Sequence, residues 1–260
     1  MPEGHTIHRM ARDHRRWLRG LEVSADSPQG RASELAAEID GRKLVGTDAY
    51  GKHLLHRWEG DLTVHIHLGL FGRFRRRKRP APDPTPGTRL QLTTETHVLR
   101  LSGPTACRAL DPAEEDELVA RLGPDPLRDD AEPERALASL GRRRIPVAAA
   151  IMDQRVIAGV GNVYRAEALN VLGIHPHLPS RELSDEDFWA LWTTLGAMLA
   201  DGVRERRIVT RREFDARRLP RRARATWVYR QTNCARCGTE VIKEKMAARN
   251  LFWCPVCQRR

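Results

Sequence analysis

Polar and apolar positions divide the chain into stretches of different period. Over residues 4–19, Ile7, Met10, Ala11, Trp17 and Leu18 fall near one face at helical spacing, which predicts an amphipathic helix. From about 42 to 107 the period shortens to two. Leu62, Val64, Ile66 and Leu68 take one face of a strand and Thr63, His65 and His67 the other. Glu59-Gly60-Asp61 predicts the turn that joins it to a strand over 53–58, and four prolines make residues 80–87 a loop. Past Asp111 the helical period returns. It predicts helices over 114–122, 133–140, 147–153, 163–172 and 185–203, the last with Ser184 as N-cap. Gly123-Pro124-Asp125-Pro126 is a rigid turn near the change of period. No internal repeat is present. The pattern predicts an α+β chain with a β-rich domain over 1–112, a helical domain over 113–226 and a short cysteine-bearing end over 227–260.

Composition narrows the classes. With 260 residues, 40% hydrophobic, the chain can bury a sizeable core, which excludes a collagen, a disulfide-rich mini-protein and general disorder. No apolar run approaches the ~20 residues of a membrane span, and the start lacks a basic-then-apolar leader, so an intracellular, cytoplasmic protein is expected. The formal charge of +11 is segregated. Residues 1–200 balance 28 basic against 28 acidic groups, whereas 201–260 carry 17 against 6. A second basic cluster runs through Arg73, Arg75, Arg76, Arg77, Lys78 and Arg79; an arginine-rich stretch covers 204–224; acid collects between Asp111 and Glu134. Such segregation suits a polyanionic partner, and a solvated basic surface is the plain alternative.

Four of the five cysteines form Cys234-x2-Cys237-x16-Cys254-x2-Cys257. Two such knuckles supply the four thiolates of a closed tetrahedral zinc site, a structural ion holding a small hairpin that has no core of its own. Basic residues, among them Arg236, Arg249 and Arg260, ride on this hairpin, and Cys107 is left over as a core cysteine. Residues 153–164 join two helices through Gly159 and Gly161, which permit positive φ and close backbone approach, with Asn162 at the N-cap position. A helix start of this kind is either a phosphate site or an ordinary capped connection.

Five motifs occur in order: Pro2-Glu3-Gly4, Gly51-Lys52, His67-Leu68-Gly69-Leu70-Phe71-Gly72, Met152-Asp153-Gln154 through Gly161-Asn162-Val163-Tyr164, and the paired cysteine knuckles. Together they span residues 2–257, and the chain resembles the formamidopyrimidine-DNA glycosylase and endonuclease VIII family of base-excision repair enzymes. The resemblance implies an N-terminal β-sandwich with a catalytic helix, a helix–two-turn–helix domain, a zinc-finger hairpin, and damaged DNA held in a cleft by a monomeric protein. It implies that Met1 is removed and that the Pro2 amine attacks C1′ of the damaged nucleotide. An α-amino group has a pKa near ~7.7–8.0 against ~10.4 for lysine, so it is far more often neutral near pH 7. Glu3 would be the general acid–base group. Lys52, counted with Pro2 and Glu3 in the catalytic set, would grip flanking phosphates, as would His67, Asn162 and Arg249. Leu70 would fill the void left by the flipped base and Phe71 would stack beside it.

Several positions depart from the family's 8-oxoguanine branch. The start Pro2-Glu3-Gly4-His5-Thr6 has Thr6 in place of a usual glutamate, Ala148 replaces a usual lysine, and Thr105-Ala106-Cys107-Arg108-Ala109-Leu110 lacks the arginine and phenylalanine of the loop that checks the opposite base. These departures resemble the endonuclease VIII branch, which favours oxidised pyrimidines. Ala248 stands where a glycine usually precedes the hairpin arginine. Two alternatives remain open: the same chemistry on 8-oxoguanine and formamidopyrimidine, and a non-catalytic zinc-ribbon DNA-binding protein.

Overall fold

Alternation and tight turns build the first half of the chain. The computed structural model describes residues 2–211 and 225–259. Met1, Arg260 and most of the arginine-rich stretch 204–224 lie outside the described residues. Contacts group the chain into two units, residues 7–120 with the N-terminal pair 1–2, and residues 121–260 with 3–6.

In chain order the first part contains α1 (Gly4–Leu18), β1 (Ser24–Asp26), α2 (Ser33–Ile39), β2 (Leu44–Tyr50), β3 (His53–Trp58), β4 (Leu62–His67), β5 (Arg73–Lys78), β6 (Thr88–Thr93), β7 (His97–Ser102), β8 (Ala106–Leu110) and α3 (Pro112–Ala120). The strands form two antiparallel sheets, ordered β2-β3-β4-β8 and β1-β6-β7-β5. Leu54, Val64 and Ile66 of one sheet share a buried core with Leu90, Leu92, Leu99 and Leu101 of the other, closed by Ile7 of α1 and Ile39 of α2. Each such side chain contributes about 1.5–3 kcal/mol on burial. This is a β-sandwich. Inside it His14 and His56 lie 1% exposed, His14 Nδ1 3.0 Å from His56 Nε2, with the Phe74 ring against His14. Burial holds both imidazoles neutral and lowers His56 to about 4.

The polar face of β4 is buried too, at Thr63 and His65. α3 supplies the reason: its Leu118 packs with Leu55 of β3 and Leu110 of β8 on the outer face of the sheet. That helix starts at Pro112, not at 114 as expected. Cys107 packs against the sandwich core, and burial pushes its thiol up to about 11.

The second unit contains α4 (Pro133–Gly141), α5 (Val147–Ala150), α6 (Asn162–Leu172), α7 (Asp185–Glu205), β9 (Ile242–Met246) and β10 (Arg249–Trp253). Ser184 caps α7 by accepting the Asp187 N–H at 3.1 Å. The helix expected over 147–153 stops at Ala150. The Asp153 carboxylate accepts the Arg155 N–H at 3.0 Å, an Asx turn that competes with helix and starts the run of turns leading to α6. Buried Glu167, on α6, accepts the N–H groups of Trp227 (2.6 Å), Val228 (3.0 Å) and Tyr229 (2.8 Å) and the Thr210 hydroxyl. β9 and β10 form an antiparallel hairpin. Leu251 and Trp253 point into the helical core, and Phe252 into a second cluster with Val228, Val241, Cys234, Cys254 and Ala166. The cysteine-bearing end therefore has a small core of its own, contrary to expectation, and borrows Ala166 of α6 to complete it.

Candidate active site and nucleic-acid interface

Pro2 lies in extended chain just before α1 and is partly exposed. The next residue is wholly buried. Glu3 Oε1 accepts the Val163 N–H at 2.9 Å and Oε2 the Tyr164 N–H at 3.4 Å, so this carboxylate takes up the first free donors of α6. The Gly4 N–H donates to the Gly159 carbonyl at 2.9 Å and pins the segment beside that helix start. Gly161 makes room: a Cβ there would sit 2.4 Å from Glu3 Cδ and 2.6 Å from its Cγ. Gly159 has φ +90, but Gly161 has φ −126, so only the first uses the left-handed region expected for both. Burial, then the Glu3 charge, raises the Tyr164 phenol, which stays neutral.

Asn162 is not the N-cap of α6. Gly161 holds that position, with no side-chain cap, and Glu3 performs the capping from 160 residues away. Asn162 is instead the first helical residue, 5% exposed. Its Nδ2 donates to the Asn250 carbonyl at 2.8 Å, and its Oδ1 accepts from the guanidinium of Arg165. Arg165 is fully buried and also donates to the Ala148 carbonyl at 3.3 Å. Burial lowers it to about 10, opposed by the Glu3 charge and assisted by that of Arg249. Asn250 directly follows Arg249, which is exposed at the start of β10. Glu3, Asn162 and Arg249 thus converge through Arg165, which the sequence reading passed over. A cationic residue among the apolar positions of 163–169 was the available signal.

The first unit gathers the other positions. Tyr50 pairs with His53 across a two-residue turn, Gly51-Lys52, in which Gly51 has φ +57 as such hairpin turns require at their first position. His53 in turn pairs with His67, so register brings Lys52 and His67 to the same end of the sheet. Their proximity shows electrostatically: burial first, then the Lys52 charge, lowers the His67 imidazole. The His67 ring lies 4.9 Å from that of His53, tilted by 38°, and His53 Nδ1 lies 2.8 Å from Nε2 of His65, itself lowered by burial to about 4. The chain then leaves β4 through Gly69 to Gly72, where the Gly72 N–H closes on the Leu68 carbonyl at 2.9 Å. That closure turns two apolar side chains outward, Leu70 43% exposed and Phe71 79%.

The donor set at the cysteine end fits zinc. The four thiols lie within 4.8 Å of one another, with Cys237 and Cys254 Sγ 3.5 Å apart and Cys234 and Cys257 Sγ 3.9 Å apart. A tetrahedron with Zn–S bonds of ~2.3 Å places its sulfurs about 3.8 Å apart, and a disulfide needs ~2.05 Å. Cys234, Cys237, Cys254 and Cys257 would hold one structural ion with no open position. Arg236, expected to ride free on this finger, donates to the Asn170 (2.6 Å) and Val171 (3.1 Å) carbonyls at the C-terminal end of α6.

Comparison with known proteins agrees with this layout. Residues 1–110 match the formamidopyrimidine-DNA glycosylase N-terminal domain, residues 122–213 the H2TH domain of the same enzyme, and residues 234–260 the zinc finger found in FPG and IleRS. Endonuclease 8 1 of Mycobacterium tuberculosis is 44% identical, covering 99% of this chain and 100% of the relative. Probable endonuclease 8 2 of Streptomyces coelicolor is 35% identical over 99% and 94%. The formamidopyrimidine-DNA glycosylase of Thermus thermophilus is 32% identical over 91% and 89%. The Lactococcus lactis Fpg in complex with abasic-site DNA superposes with a TM-score of 0.84 at 22% identity, over 99% and 100% of the two chains, so the fold is shared. Sandwich, two-turn helix pair and four-cysteine finger match in order over almost the full length, and the chain belongs to the formamidopyrimidine-DNA glycosylase and endonuclease VIII family.

Proposed function

We infer that the protein is a bifunctional DNA glycosylase and AP lyase of base excision repair that removes oxidised bases, pyrimidines foremost. The observation that carries the reading is the buried Glu3 carboxylate, fixed by two backbone N–H groups of α6 and joined covalently to Pro2. Once Met1 is removed, the Pro2 nitrogen is a secondary amine beside a positioned acid–base group.

The amine attacks C1′ of the damaged nucleotide. The C1′–base bond breaks, and the base leaves with its bonding electrons and a proton relayed through Glu3. The C1′–O4′ bond then breaks, its electron pair and a proton from Glu3 going to O4′, and the open-chain iminium between Pro2 and C1′ makes the C2′ hydrogen acidic. Its removal expels the 3′ phosphate by β-elimination, a second elimination expels the 5′ phosphate, and water releases the sugar remnant from Pro2. Lys52, His67, Asn162 and Arg249 bind the flanking phosphates. His67, kept neutral by burial and by Lys52, offers one N–H without adding charge. Exposed Leu70 fills the space vacated by the flipped nucleotide, with Phe71 stacked beside it. The departures at Thr6, Ala148 and residues 105–110, with the higher identity to endonuclease 8 relatives, support pyrimidine lesions over 8-oxoguanine. The protein acts as a cytoplasmic monomer on chromosomal DNA, with domains at 1–112, 113–226 and 227–260.

Borohydride trapping tests the chemistry. Purified protein with Pro2 as its first residue is expected to form a covalent adduct with abasic-site duplex, and protein retaining Met1 or an upstream tag is not. No adduct with a free Pro2 amine overturns the reading. A panel of duplexes carrying thymine glycol, dihydrouracil or 8-oxoguanine assigns the lesion class.

A further inference from the structure

Strand β5 carries a feature that the proposed chemistry does not use. Its residues alternate in role as they alternate in direction. Phe74 packs into the sandwich core and Arg76 stacks 4.6 Å over the Trp17 ring of α1. The other set, Arg73, Arg75 and Arg77, lines a groove of about 140 Å3 with Arg100 of β7 and the loop residues Asp83 and Thr85. Arg75 stands directly opposite Arg100 in the ladder.

Two properties separate this groove from an ordinary solvated face. First, none of Arg73, Arg75, Arg77 or Arg100 makes an ion pair with a carboxylate among the described residues. Elsewhere in the same unit Arg57 pairs with Glu115 at 2.6 Å and Arg108 with Glu114 at 2.6 Å. Like charges directly across a ladder are destabilising. Arg100 is steadied by Gln91 Oε1 (2.6 Å) and the Asp83 carbonyl (3.2 Å), both neutral acceptors, so four guanidinium charges share the groove with the single carboxylate of Asp83 and pair with none. Second, alternate strand residues lie ~6.7 Å apart, so Arg73, Arg75 and Arg77 form a straight row with the spacing of successive phosphates on a nucleic-acid strand. Ser102 lines the same groove and adds a hydroxyl donor. The row also begins two residues after Phe71, at the end of the loop that exposes Leu70 and Phe71.

We propose that the Arg73-Arg75-Arg77 row, with Arg100, is a second phosphate-binding site that holds a nucleic-acid backbone away from the lesion and lengthens the DNA footprint of the first unit. This extends the glycosylase reading above, and its test is built to fail separately. The strand is an edge strand, and charge on an edge also discourages sheet-to-sheet aggregation. That role predicts no effect on DNA binding.

Binding of uncleavable abasic-analogue duplexes is measured by fluorescence anisotropy against salt, with one duplex covering only the immediate lesion and one extended on both sides. The R75Q/R77Q variant is expected to reduce the slope of log K against log salt by about 2 on the long duplex, one contact for each arginine. The short duplex and single-turnover base release should not change. An R16Q/R31Q control, which removes the same charge elsewhere in the unit, should leave the slope intact. Equal losses on both duplexes, the same loss in the control, or no loss at all overturns the proposal. Binding of inorganic phosphate or a nucleoside triphosphate that is lost in R75Q/R77Q, with the long-duplex slope unchanged, assigns the groove to a small phosphate ligand and also overturns it. If wild-type protein forms no borohydride adduct and shows no preference for the abasic analogue, the glycosylase reading falls. The salt slope on undamaged long duplex still decides the groove.

Discussion

Replacing Gly161 by alanine inserts one methyl group against the buried carboxylate of Glu3. The added Cβ would lie 2.4 Å from Glu3 Cδ and 2.7 Å from Oε1, below any real contact distance, so the carboxylate must leave. The backbone itself raises no objection, because φ −126 and ψ −165 suit alanine. What is lost is the hydrogen bond to the Val163 N–H at 2.9 Å, the weaker one to Tyr164 at 3.4 Å, and the favourable placement of an anion at a helix start. Hydrogen bonds to charged groups contribute about 1.5–3 kcal/mol, and the helix dipole up to ~2 kcal/mol in buried settings. These overlap, and a net loss of about 3 kcal/mol is expected, equivalent to a midpoint fall of about 6–12 °C. The double-mutant cycle isolates the cause. In a Glu3→Ala background nothing occupies the space, and Gly161→Ala should then raise stability by ~0.4–1 kcal/mol through the unfolded chain. Thermal unfolding of the four proteins measures both arms. If Gly161→Ala lowers the midpoint equally with and without the Glu3 side chain, the capping role assigned to Glu3 is wrong.

Stability should also fall in mild acid. His56, whose imidazole titrates near 6.5 when free, is held at about 4 by burial, so the unfolded chain takes up the proton first and stability present above 6.5 is lost as pH drops toward 4. Lowering the pH from about 7 to about 5 is expected to cost about 2 kcal/mol from this residue alone, with His14 acting in the same direction. Urea midpoints that coincide at the two pH values would contradict it. Chelation should release one zinc per chain and make the four thiols of Cys234, Cys237, Cys254 and Cys257 titratable together; thiols already reactive in metal-replete protein would exclude the assigned ligand set. At the hairpin tip Ala247 and Ala248 hold φ +50 and +58, a conformation that costs an L-residue about 1–2 kcal/mol. Ala248→Gly should therefore raise the thermal midpoint of the finger, and an unchanged or lowered midpoint would show that the turn carries no such strain.

Local signals were readable where neighbours in sequence are neighbours in space. The β3–β4 hairpin follows from its alternation and the turn at Glu59-Gly60-Asp61, and the Ser184 cap from its own helix. The cysteine knuckles carry their geometry in their spacing. What stayed hidden was decided at a distance. Asn162 has the residue type of an N-cap, but Glu3 takes that role from 160 residues away, a relation no local window contains. The hidden face of β4 depends on α3, which lies more than forty residues later and whose own pattern says little about what it covers. Arg165 and Glu167 sit on a helix buried along most of its length, where a charged residue signals a partner without naming it.

The Glu167 carboxylate has one more consequence. It receives Thr210 and the backbone of Trp227, which are 17 residues apart, so two points on the chain are moored at a single oxygen pair on α6. The cysteine-bearing end is thus secured twice, by its metal at the far end and by this knot where it begins. Loss of zinc should slacken the hairpin and leave Trp227, Val228 and Tyr229 tied to α6. With Leu251 and Trp253 in the helical core and Arg236 on the end of α6 as well, the loosening would centre on the cysteine knuckles, and returning metal would need to reorder only those.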